Sequence, residues 1–388
     1  MKRSLPCFLL PRLNPAPILL TCFLFMLCFP GLLPGQTMQQ ELREVKETQT
    51  VFLQTQLDER VTKIINTPDF VRAANVSLNA LVLSNSLTDY LNDVSNLNNP
   101  TNDELGFSLT HRVEEIMTKH IGTAKNKKGF ARVMEIAKGV VEHPLVSTLT
   151  TAIPVVNSLG SVIDLVNGFA VQNHDVPVQE VNLIREEVTK YVQHYQSLAD
   201  ATRKFQGTVA AVQERTTELQ LILISFTNQR IENLFPEQAT EAVEAPSLRN
   251  VLLKVYEKDR VVHSVQSVLA KYKDSGEVGL GHALTDPQMV YPEYVVNEAR
   301  FMLDELVAIT KEYIIAFNEY QNDLRAVLEK SKDLGEAEKI DRKIALLDEK
   351  LKKVEEAFLN AVHVEEVEYR FKALARTQVT ETNTTNEK

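Results

Sequence analysis

Apolar side chains along this chain recur at steps of four and three. The longest run starts at Ile184 and passes through Val188, Tyr191, Tyr195, Leu198, Thr202, Phe205, Val209, Val212, Thr216, Leu219 and Leu223 to Phe226. Every position in it is apolar except the two threonines. Such spacing lines one stripe of a helix and suits helices packed side by side at a shallow angle. Only Gly207 interrupts the helix formers between Pro177 and Pro236. The pattern predicts one helix of roughly 85 Å at 1.5 Å per residue, longer than a compact domain is wide.

A second ladder runs through Ile340, Ile344, Leu347, Leu351, Val354, Phe358 and Ala361, slips near Val364, and resumes at Val367, Phe371 and Leu374. Ile344, Leu347, Leu351, Val354 and Phe358 form its clearest packing seam. Opposite charges four apart, such as Glu349 and Lys353, line the outer faces as a solvated surface would. The stretch from Tyr294 to Ser331 carries the same periodicity, and Gly335 marks the break between these two helices.

Shorter helices are predicted in the front half, over 38–66 (ending before Pro68), 69–94, 102–121 and 130–142. Ser247 is placed to cap a helix reaching Tyr272. The segment 273–292, with Gly276, Gly279, Gly281, Pro287 and Pro292, reads as the longest irregular connection and a candidate contact surface. Residues 377–388 read as a disordered polar tail. No alternating pattern suggests a sheet. The expected fold is all-α, an elongated helical bundle over 36–376 with long coiled-coil-like helices.

Residues 145–171 break the amphipathic rule, since Asp164 is their one charge. Leu145, Leu149, Val156, Leu159 and Phe169 sit among small residues, and Asn157, Ser161, Asp164 and Gly168 share one narrow polar stripe. A helix apolar on most sides is either enclosed by other helices or placed in a bilayer. Burial is the favoured reading, because a charged side chain such as Asp164 costs a few kcal/mol in hydrocarbon. In outline, an export signal, long heptad helices and a small-residue apolar segment between them resemble the secreted α-helical pore-forming toxins. That resemblance implies an alternative in which 145–171 is membrane-active, and it carries over no individual site residues.

The start of the chain changes where such a bundle would work. Lys2, Arg3 and Arg12 precede an apolar run over 18–29, followed by Pro30, Gly31, Pro34 and Gly35. This is the layout of a secretory signal peptide, with cleavage expected after Gly35. Twelve apolar residues are too few for a membrane span, which needs about 20. The expected location is therefore secreted, periplasmic or otherwise in the cell envelope. Cys7, Cys22 and Cys28, the chain's three cysteines, all lie inside this leader. Disulfides and thiolate chemistry are thereby excluded from a cleaved chain.

The formal charge of −10 disfavours nucleic acid as a partner, because phosphate binding needs clustered cations. No metal, cofactor or catalytic residue emerges. His-Glu-x-x-His and Glu-x-x-His arrangements are absent from the sequence. His111 with Glu115, and Asp259 with His263, each offer two ligands where zinc wants three or four. The glycine-rich 276–281 lacks the preceding strand and following Lys-Ser or Lys-Thr of a phosphate loop. Glu277, His282 and Asp286 beside it are the best polar cluster on offer. The leading expectation is a non-enzymatic exported protein acting through contacts with an unidentified protein partner; the 340–374 seam could also self-associate, although closure on neighbouring helices within one chain is the favoured reading. An enzyme without a recognisable motif is the remote alternative.

Overall fold

A computed structural model describes residues 35–82, 90, 93–94, 96–99, 102–121, 178–240 and 247–376. Among them the fold is all-α, an elongated bundle without a strand. Its helices are α1 (Gly35–Val82), α2 (Leu109–Ile121), α3 (Val178–Leu234), α4 (Leu248–Lys254), α5 (Lys258–Tyr272), α6 (Gly276–Thr285), α7 (Glu293–Lys330), α8 (Ala337–Val362) and α9 (Val364–Ala375). The leader 1–34, the apolar segment 145–171 with Leu145, Leu149, Val156, Leu159, Asp164 and Phe169, the helix expected over 130–142 and the tail 377–388 lie outside the described residues.

The spine is the antiparallel pair of α3 and α7. α3 has 57 residues, so it is about 85 Å long. Its four-three stripe is buried from Ile184 to Phe226 apart from the half-buried Tyr191. The rungs between the two helices keep one register. His194 meets Ser331, the Thr202 and Tyr320 hydroxyls lie 3.1 Å apart, Lys204 pairs with Glu319 and Asp323, and Arg215 pairs with Glu305 and Glu312. The Arg230 guanidinium rests 6.0 Å from the Tyr294 ring. Between the polar rungs, Phe205 stacks on Tyr320 at 4.5 Å and 4°, and Phe317 approaches Phe205 at 5.3 Å. These rings are nearly inaccessible, so their burial dominates the pairing energy, at about 1.5–3 kcal/mol for each large apolar side chain.

α8 lies antiparallel on α7. Ile344, Leu347, Leu351, Val354 and Phe358 are buried along it, Phe358 stacks on Tyr313 at 4.7 Å and 16°, and Arg325 and Gln321 both reach Asp348. The 340–374 seam therefore closes within its own chain against α7, α1 and their neighbours. The slip near Val364 is real. His363 sits in the left-handed region (φ 46°, ψ 42°), ending α8 and redirecting α9 so that Val367, Phe371 and Leu374 turn inward.

Several expected helix boundaries are corrected. α1 runs through Pro68 without a break, although an internal proline forfeits one backbone hydrogen bond and costs about 3 kcal/mol. The packing on both sides of Pro68 overrides that penalty. Phe70 touches Phe226 of α3 and Phe371 of α9, Asn66 donates to the Ala373 carbonyl at 3.0 Å, and Gln220 donates to Asn79. In the opposite sense, the helix capped by Ser247 breaks after Lys254, because Val255 and Tyr256 both turn into the core before α5 begins.

The 273–292 segment is helical rather than irregular. Two 3₁₀ turns flank α6, and Gly279 lets α6 lie against α5, where a Cβ would sit 2.3 Å from the Tyr272 carbonyl oxygen. Near the start of α2, Ser108 accepts from the His111 N–H, so that helix begins at Leu109 and not at residue 102. The loop before it, 102–108, docks on the α7–α8 turn through Gly106 and Gly335. The Glu336 N–H donates to the Leu105 carbonyl at 3.2 Å, and a side chain on Gly335 would collide with that same oxygen. Gly335 is thus required for close approach rather than for a left-handed cap.

Candidate functional site

The polar constellation with most chemical potential lies where α3 meets the α7–α8 turn, and it involves residues 137 apart in sequence. Ser331, in the 3₁₀ turn that ends α7, places its Oγ 2.5 Å from His194 Nδ1 on α3. The same hydroxyl lies 2.7 Å from the Val327 carbonyl, to which it can donate. His194 is wedged against the edges of Phe107 (5.2 Å) and Tyr195 (5.0 Å). Beside the pair opens a recess of about 640 Å³, rimmed by Lys190, Asp200, Lys330 and Asp333.

A serine beside a histidine invites comparison with an activated nucleophile, and the geometry argues against it. Ser331 is 1 % exposed and His194 5 %, so although both border the recess, little of either side chain is open to a substrate. Among the described residues the imidazole has no carboxylate behind it, and Nε2 has no hydrogen-bond partner. Burial alone pushes the His194 pKa down to about 4, which makes it a weak base and a neutral ring at pH 7. A nucleophile–base–orienter arrangement needs the third group and an accessible oxygen. The pair instead pins the α7–α8 turn to α3.

Several other histidines and carboxylates are similarly committed. His120, at the end of α2, is held between Glu180 (2.6 Å) and Glu187 (3.1 Å) of α3, with Lys119 also on Glu187. Lys119 is the main cause that lowers the Glu187 pKa, with His120 adding to it. His111 pairs with Glu115 at 3.1 Å on an exposed face. Asp286, one of the three residues in the expected polar cluster, is buried and structural, accepting from the Tyr272 hydroxyl at 3.1 Å and the Gln288 N–H at 3.0 Å. His282 stacks on Tyr272, and Glu277 joins neither. Among the described residues no three His, Cys, Asp or Glu side chains gather as metal ligands.

A second feature escaped sequence reasoning. Arg230 of α3 is 3 % exposed and has no carboxylate partner among the described residues. Its guanidinium lies 5.9 Å from the rings of Phe226 and Tyr291, in addition to Tyr294, so aromatic faces stand in for a counter-ion. Burial pushes the neighbouring Tyr291 up to about 12, and its hydroxyl is hydrogen-bonded to Thr67 at 2.9 Å. The cluster works as a polar joint between α1, α3 and the start of α7.

No protein-family model, curated protein or solved structure matches this chain. Its function must therefore be argued from these surfaces alone. The most conspicuous one belongs to α1. From residue 38 to 49 every side chain is exposed, because α1 continues past the C-terminal end of α3 into solvent. Met38, Leu42, Val45 and Phe52, 58–66 % exposed, share one narrow stripe of that free rod. Among the described residues no helix is long and apolar enough to cross a membrane.

Proposed function

We propose that this chain is an exported, non-enzymatic helical protein that works through protein–protein contacts, in a scaffold or assembly role, in the cell envelope or outside the cell. The observation that carries this reading is the free end of α1. A soluble protein gains nothing from leaving four large apolar side chains aligned on a projecting helix, and such patches mark interaction surfaces. The near-complete burial of the Ser331–His194 pair supports the non-enzymatic part, since little of either side chain is open to the recess they border. Export rests on the basic and apolar pattern of residues 2–29. The test is to express the full chain, fractionate the cells, and photo-crosslink exported protein carrying a photoreactive residue at position 45. Recovery outside the cytoplasm beginning near Gln36, with a discrete crosslinked species, is the expected result. Retention of the intact chain in the cytoplasm, or no crosslink at position 45, would overturn it.

A second reading keeps 145–171 as a membrane-active segment. It is favoured by the way the chain leaves α2 at Ile121 and enters α3 at Val178 at one end of the bundle, tied there by His120 and Glu180. A segment so tethered can be displaced without unthreading the spine. Leakage of dye from anionic liposomes that Asp164→Lys alters would support it. Intact liposomes across pH 4–8, a range that brackets carboxylate and histidine titration, would dismiss it.

A further inference from the structure

The stripe on the projecting part of α1 follows a heptad. Met38, Val45 and Phe52 take d positions, and Leu42 and Gln49 take a positions. Val51 is exposed too but lies off the stripe. The flanking charges are informative. Glu41 is the charged residue at g and Lys46 the charged residue at e. In a parallel pair of identical helices, g of one faces the e five residues on in its partner, so Glu41 meets Lys46 twice around the two-fold axis. In an antiparallel pair g faces g and e faces e, and the attraction is lost.

The geometry points to a second copy of this chain as the occupant of this stripe, forming a short parallel coiled coil from residue 38 to 52. The inference rests on the contact-protein reading above and names its partner. Other occupants fit less well. The tail beyond Arg376 starts from α9, whose end lies near Asn66 of α1, but it holds a single apolar residue, Val379, and cannot cover four. Ile121 and Val178, which anchor residues 122–177, lie at the far end of α3, about 85 Å away along a helix of 57 residues. The helix itself is already paid for, because α1 is nucleated by its packing from Leu57 onward, so pairing need not order it. Two heptads bury less than the roughly 1,200 Å² of a permanent interface, so the pairing is weak and concentration-dependent.

Sedimentation or light scattering of the purified full chain over a hundredfold concentration range tests this. Mass should double with concentration, Leu42→Glu should raise the dissociation constant at least tenfold without moving the unfolding midpoint, and Glu41→Lys should raise it about threefold. Adding Lys46→Glu to Glu41→Lys should restore the original value. A monomer throughout, or a dimer indifferent to Leu42→Glu, overturns the inference. A dimer indifferent to the charge swap overturns its parallel order. A monomer that still crosslinks to another protein at position 45 removes this partner while leaving the contact-protein reading standing.

Discussion

Leu351→Asp is expected to unfold the α7–α8 layer rather than to dissociate an oligomer. Leu351 is 2 % exposed in the middle of a seam that runs from Ile340 to Phe358. Truncating such a side chain costs about 2–5 kcal/mol. The aspartate adds the cost of an unpaired carboxylate in an apolar layer, several kcal/mol more unless it picks up a proton. A loss of about 5 kcal/mol or more is comparable with the whole stability of many domains. Urea unfolding followed by circular dichroism should show a large fall in midpoint and early loss of helix. Leu359→Asp on the same helix, at a site 46 % exposed, should change stability by about 0.5 kcal/mol or less. A folded Leu351→Asp protein with an unchanged midpoint would mean that α8 does not pack as described.

The second large effect is a pH dependence centred on His194. Its folded pKa is pushed down to about 4 by burial, against 6.5 for an open imidazole. Between those values the unfolded chain binds a proton that the folded chain refuses. Stability is therefore complete above about pH 6.5 and falls as the pH drops toward 4. The shift corresponds to about 3 kcal/mol across that window. Carboxylates with lowered pKa, among them Glu104 and Glu187, also lose stability on acidification, so the comparison must be differential. The difference in unfolding free energy between wild type and His194→Gln should change by about that amount from pH 6.5 to 4 and stay flat above 7. A flat difference across the acidic range would mean that His194 is solvated. It would also mean that the α7–α8 turn is not pinned to α3 by a neutral ring.

The spine was legible because its signal is redundant. Twelve successive four-three steps from Ile184 to Phe226 leave little freedom in which face of α3 turns inward, and α7 repeats the pattern at Val295, Met302, Leu306, Ile309, Tyr313, Phe317, Tyr320 and Leu324. The slip at His363 was legible for the same reason, since a broken ladder shows where it breaks. Local signals misled where tertiary contacts outweighed them. Pro68 suggested a helix end, but Phe70 and its neighbours are clamped by α3 and α9. The glycines at 279 and 281 suggested a loop, but Gly279 is there because the Tyr272 carbonyl leaves no room for a side chain.

The candidate site was not legible at all. His194 and Ser331 are 137 positions apart, and neither carries a neighbour that marks it. Arg230 is equally silent in sequence, since its companions Tyr291 and Tyr294 come from the beginning of another helix and the turn before it. The stripe from Met38 to Phe52 could have been read as a heptad. What the sequence does not contain is the fact that α3 stops at Leu234 and leaves that stripe uncovered.

The fixed register of α3 against α7 gives the molecule two unlike tips. Rungs from His194 to Arg230 lock the pair over most of its length, so bending it at one point would strain contacts at many others. At one tip the free turns of α1 reach outward; at the other, Ile121 and Val178 mark where the chain departs and comes back. Whatever is gripped at either tip is held at a set distance from the other. Mechanically the protein is a strut, and its length is written in the number of heptads.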